Sequence, residues 1–102
     1  MSSTYNAAVI EDVIKAVEYV VGVPRSDWFR TRTRLREHVL CRMLFTYILH
    51  ERGWYIKAIS TALGLHHSSV IHYLNCLSAP DGFLADMMTT AKATFNQRKT
   101  AA

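Results

Sequence analysis

Apolar residues near the start of the chain recur every three or four positions. Val9, Ile10, Val13, Ile14, Val17 and Val21 share one face, which predicts a helix from about Tyr5 to Val21. Glu11, Asp12, Lys15 and Glu18 fall largely on the other side, and Gly22 with Pro24 supplies a stop. Ser26 or Asp27 is placed to cap a short helical turn that holds Trp28 and Phe29. Arg30 to Arg34 alternates Arg with Thr (RTRTR), a polar pattern with no hairpin partner, so it reads as a connector. Leu35 to Arg52 predicts the longest helix, with Leu35, Val39, Leu40, Met43, Leu44, Tyr47 and Ile48 on the helical period and Gly53 at its end. Ile56 to Leu63 and Ser68 to Leu77 predict two short helices around a Gly64-Leu65 turn. Ala79 to Gly82 is a break, and Phe83 to Arg98 a final helix with Leu84, Met87, Met88, Ala91 and Phe95 on one face. No segment reads as a strand, and there is no internal repeat.

The expected fold is therefore all-α, a compact multi-helix domain. The whole chain, 1–102, reads as one domain, with a core over about 9–77 and a C-terminal helix over about 83–98. Within it, Ile56 to Leu74 fits the positional demands of a helix-turn-helix. Ile56, Ile59 and Leu63 give the first helix an inner face. Ser60 is small where the two helices touch, and Gly64 tolerates positive φ four residues later. Leu65 plugs the corner, and Val70 with Tyr73 or Leu74 docks the second helix. Ile59, Leu63, Val70 and Leu74 are expected to pack against Val39, Met43 and Tyr47.

Charge changes this picture. The net charge is +4 and the isoelectric point about 9.3. Between Trp28 and Pro80 the cations are Arg30, Arg32, Arg34, Arg36, Arg42, Arg52 and Lys57, against only Glu37 and Glu51. A cationic middle segment beside a helix-turn-helix points to a polyanionic partner, duplex DNA. The N-terminal turn of the second helix would face the major groove, so His66, His67, Ser68, Ser69 and His72 are the candidate base contacts. Ser68 or Ser69 could equally serve only as a cap.

The region also resembles the C-terminal DNA-binding domain of the bacterial replication initiator DnaA, a Trp-repressor-like helix-turn-helix. Arg42 to Ile48 (RMLFTYI) matches that family's long-helix element. Ile59 to Gly64 followed by His67 to Val70 (HSSV) matches its signature, and Val17 to Arg34 resembles its first helix, connecting turn and basic loop. The resemblance covers roughly Val9 to Leu77. The signature is one residue shorter here, its Arg has no counterpart, its Asp position is His66, and its Ile-Gly pair is Ile59-Ser60. It implies a DNA-binding fold and a docking mode, but neither ATP-driven origin melting nor the initiator's target sequence; the expected function is sequence-specific duplex binding in replication initiation or transcription control of a bacterial or mobile element. By the same resemblance, Arg30, Arg32 and Arg34 correspond to a loop that contacts the DNA backbone and minor groove. Arg36 and Lys57 join them as backbone candidates, while a solvated charge run is the plainer account of such residues. The alternative function is a protein-interaction module that keeps the shape but no longer binds DNA.

Other chemistries find little footing. The chain has no GxxxxGK[ST] motif and so no nucleotide-binding module. The spacing of His66, His67 and His72 does not gather three imidazoles on one helical face, so neither a metal nor another cofactor is expected. No nucleophile, histidine and carboxylate constellation suggests an enzyme. Cys41 and Cys76 lack a CxxC spacing and read as reduced, buried thiols of a cytoplasmic protein. Trp28, Phe29, Trp54 and Tyr55 read as core or edge packing. No secretory leader is visible, and the apolar runs fall short of the roughly 18–20 residues that a membrane span needs.

Overall fold

The structure is a computed structural model that describes residues 7–101, with side chains as far as Arg98. The expected start of the first helix at Tyr5 lies outside the described residues. All regular structure among the described residues is helical: α1 (Ala7–Val21), α2 (Arg25–Trp28), α3 (Arg36–Glu51), α4 (Ile56–Leu63), α5 (His67–Leu77) and α6 (Gly82–Ala101). No helix of the described residues is long and apolar enough to cross a membrane. The Cα radius of gyration, 12.5 Å, is close to the roughly 12.8 Å expected of one packed body this long.

Helix α1 buries Val13, Ile14, Ala16 and Val17 against α3 and α6. It ends where the sequence placed the stop: Gly22 adopts φ +80° and its N–H donates to the Glu18 carbonyl at 2.8 Å. The start of α2 differs from expectation. Ser26 and Asp27 lie inside the helix, and the N-cap is Pro24, which has no side-chain acceptor. The Glu18 carboxylate supplies one from the preceding helix, accepting the Arg25 backbone N–H at 2.6 Å. Arg25 Nη1 also reaches Glu11 at 2.6 Å, and this hydrogen bond holds the Glu11 carboxyl below its ordinary value. The turn between α1 and α2 is thus tied down from both sides.

Helix α3 is the hub and packs against α1, α2, α4, α5 and α6. Its buried residues are Cys41, Arg42, Leu44, Phe45, Thr46, Ile48 and Leu49. The expected face is only partly right. Leu44 and Ile48 are buried, whereas Val39, Leu40, Met43 and Tyr47 are half-buried and Leu35 is 60 % exposed. A helix enclosed by five others buries residues around most of its circumference, so its apolar periodicity points weakly to any single face. Ile59, Leu63 and Val70 are fully buried as expected, while Leu74 is half-buried. Trp28 and Trp54 join the core, with Trp28 and Phe29 edge-on to Phe45. Tyr55 instead stands 75 % exposed. Both cysteines are free; Cys41 is buried and Cys76 only partly so.

Candidate nucleic-acid interface

The α4–α5 corner is set by Gly64. It takes the left-handed conformation, φ +69°, and lets the chain leave α4 with the Leu65 N–H donating to the Ser60 carbonyl at 3.0 Å. Ser60 itself is buried at the crossing. The last carbonyls of α4 are completed from a distance. Arg30 Nη1 donates to the carbonyls of Thr61 and Ala62, each at 3.1 Å, and a β-carbon added at Gly64 would stand 3.5 Å from the Arg30 guanidinium. A cation at a helix C-terminus is favourable because the aligned peptide dipoles leave negative charge there. Arg30 is also the one described non-glycine residue with positive φ, +60°. Its guanidinium therefore fastens the basic loop onto the helical corner.

The other fastening is Arg42, 2 % exposed on α3. Its Nε donates to the Trp28 carbonyl at 2.9 Å and its Nη1 to the Thr33 carbonyl at 2.7 Å. Its Nη2 donates to the hydroxyls of Thr31 and Thr33, both at 2.8 Å. A buried guanidinium is tolerated when such a set of acceptors surrounds it, and here they are all on the loop 28–33. The loop is held from below, and Arg32 and Arg34 project from it into solvent.

Beside the loop lies the first turn of α5. His66, rather than either serine, is its N-cap: His66 Nδ1 accepts the Ser68 N–H at 3.2 Å and also meets Ser68 Oγ at 2.9 Å. With Nδ1 accepting, the neutral His66 ring carries its proton on Nε2. The His67 ring lies against it, centroids 4.2 Å apart. Loop and helix enclose an open groove of about 540 Å³ lined by Arg32, Thr33, Arg34, His66, Ser68, Ser69 and His72, with Val39, Arg42, Leu65 and Tyr73 as its floor. Three arginines line it and, among the described residues, no carboxylate does.

No family model, curated protein or solved structure matches the chain.

The structure sorts the sequence-predicted residues into groups. Arg32 and Arg34 come together with His66, Ser68, Ser69 and His72. His67 stands exposed beside His66 and outside the groove lining. Arg30 is occupied with α4. Arg36 opens α3 and lines a different depression with Glu37, Met43, Asp81 and Phe83. Lys57 lines a third, apolar one with Ile10, Trp54 and Tyr55. Among the described residues, no group of three or more His, Cys, Asp or Glu side chains converges. Arg42 is what sequence reasoning left open. Its signal was an arginine inside an apolar helical run, between Cys41 and Met43-Leu44-Phe45, where a charge must find partners.

Proposed function

We propose that the protein binds duplex DNA through a helix-turn-helix formed by α4 and α5, with α5 in the major groove and the 30–34 loop on the adjoining backbone or minor groove. The carrying observation is the carboxylate-free groove between Arg32, Arg34 and the polar first turn of α5. Arginine guanidinium groups suit phosphates and a narrow minor groove, while Nε2–H of His66, the His67 ring and the serine hydroxyls suit base edges. The arrangement is also preorganised. Arg30 and Arg42 fix the loop against the corner before any ligand arrives, which lowers the ordering cost on binding. The reading extends to a DnaA-like role, sequence-specific binding in replication initiation or transcription control.

The test is fluorescence anisotropy with duplex DNA over a range of salt. Four or five neutralised phosphates give a log–log slope of roughly −4. Arg32→Ala with Arg34→Ala should flatten it by about one or two units. His67→Ala and Ser68→Ala should each reduce discrimination between a selected and a random duplex by about 1–3 kcal/mol, with little change in non-specific binding. Absence of salt-sensitive duplex binding would reject the reading in favour of a protein-interaction module.

A further inference from the structure

We infer that α5 reads A·T base pairs through its second turn as well as its first, with Ile71 against a thymine methyl group and Asn75 facing an adenine edge. The inference rests on the duplex-binding reading and extends it beyond the first turn to two residues that line none of the grooves described.

The outward face of α5 is a continuous stripe. Ser68, Ile71, His72 and Asn75 are all exposed, while Val70, Tyr73 and Leu77 are buried. At about 100° per residue, Ser68 and Asn75 lie within roughly 20° of each other on the crest. His72 lies about 40° to one side, towards the arginine loop whose groove it lines, and Ile71 about 60° to the other. With Arg32 and Arg34 on a backbone at the His72 side, the crest points to the floor of the neighbouring groove. Ile71 then faces its far wall. Seven residues of helix rise about 10.5 Å, close to three base-pair steps of about 3.4 Å. The stripe therefore has the length to meet successive pairs.

The chemistry selects the base. Ile71 is 41 % exposed at a position whose neighbours in the stripe are all polar. Each base pair shows its own pattern in the major groove, and the apolar group there is the C5-methyl of thymine. An aliphatic side chain gains from that methyl and from nothing on a G·C pair. One turn further on, an exposed Asn has the donor and acceptor that match N7 and N6 of adenine. RNA lacks the thymine methyl, and A-form geometry narrows the major groove, so the same stripe favours DNA.

The experiment compares three synthetic 24-base-pair duplexes in anisotropy titrations: alternating A·T, the same duplex with deoxyuridine in place of thymidine, and alternating G·C. Wild-type protein should bind the thymidine duplex about fourfold more tightly than the deoxyuridine one, the worth of one buried methyl group. Ile71→Ala, a surface change to a stronger helix former, should abolish that ratio while the helical circular dichroism stays unchanged. Arg32→Ala should weaken both duplexes and keep the ratio. Replacing adenine by 7-deazaadenine should weaken wild type more than Asn75→Ala, and equal weakening of the two overturns the Asn75 assignment. Equal wild-type affinity for the thymidine and deoxyuridine duplexes, or a ratio that survives Ile71→Ala, overturns the inference while duplex binding stands. Binding to none of the three duplexes overturns the duplex reading and this inference with it.

Discussion

Replacing Arg42 by lysine separates positioning from charge. The lysine keeps the positive charge, so the domain's electrostatics are unchanged, but it loses the planar fork that reaches four acceptors at once. A single ammonium cannot span the carbonyls of Trp28 and Thr33 and both threonine hydroxyls, which the guanidinium meets at 2.7–2.9 Å. Loss of about two such bonds, at 1–1.5 kcal/mol each, lowers stability by about 2–3 kcal/mol. The binding effect comes from the loop. Complete freeing of Thr31 to Thr33, at about 1–2 kcal/mol of ordering entropy per residue, would cost at least about 3 kcal/mol of affinity, roughly 100-fold or more. Water can replace some contacts of the half-exposed threonines, and we expect about tenfold. Under the duplex-binding proposal the salt slope should not change, because Arg32 and Arg34 would still reach the same phosphates and Arg42, 2 % exposed, would reach none. Anisotropy at four salt concentrations measures affinity and slope together, and thermal unfolding by circular dichroism checks the fold. A slope flattened by a full unit would show Arg42 itself meeting phosphate. Unchanged affinity in a folded variant would show that the loop is not held by Arg42. Either result refutes the positioning argument.

Other outcomes follow from the packing. Leu63→Ala empties a fully buried site between α4 and the core and should cost about 2–5 kcal/mol in urea unfolding; a loss well under 1 kcal/mol would contradict the assignment. The Thr46 hydroxyl is buried with no hydrogen-bond partner among the described residues, so Thr46→Val should leave stability unchanged or raise it by about 1–3 kcal/mol at most, measured as the denaturation midpoint. Burial pushes the Cys41 thiol up to about 12, so it stays neutral in the fold at mildly alkaline pH. Alkylation followed by mass spectrometry should then modify Cys76 in the native protein and Cys41 only after unfolding. The sign of the linkage follows: an unfolded thiol ionises near 9.0, so this group's contribution to stability is full below that value and is lost between there and about 12.

By itself the sequence determined the helices and the α4–α5 corner. Those signals are local. Val9 to Val21, Phe83 to Phe95, the glycines at 22 and 64, and the Ile59-Ser60-Leu63 spacing act through neighbours three or four residues apart, where helix geometry is fixed. Helical period, with Val70 inward, places Ser68, Ser69 and His72 outward; Ser68 and His72 are exposed, whereas Ser69 is half-buried. Which cations share a surface was not legible. Arg30, Arg32, Arg34 and Arg36 alternate along one stretch of chain, yet Arg30 is spent on α4, Arg36 lines another depression, and only Arg32 and Arg34 face α5. The inner face of α3 and the partners of Arg42 were hidden in the same way. Both depend on contacts between elements far apart in sequence, with Arg42 reaching back 14 residues to Trp28 and Arg30 forward 31 residues to Thr61. Local periodicity carries no record of which helix packs on which. Only the assembled core brings the loop, the corner and the first turn of α5 onto one groove, and that tertiary contact gathers part of a dispersed basic composition on one surface.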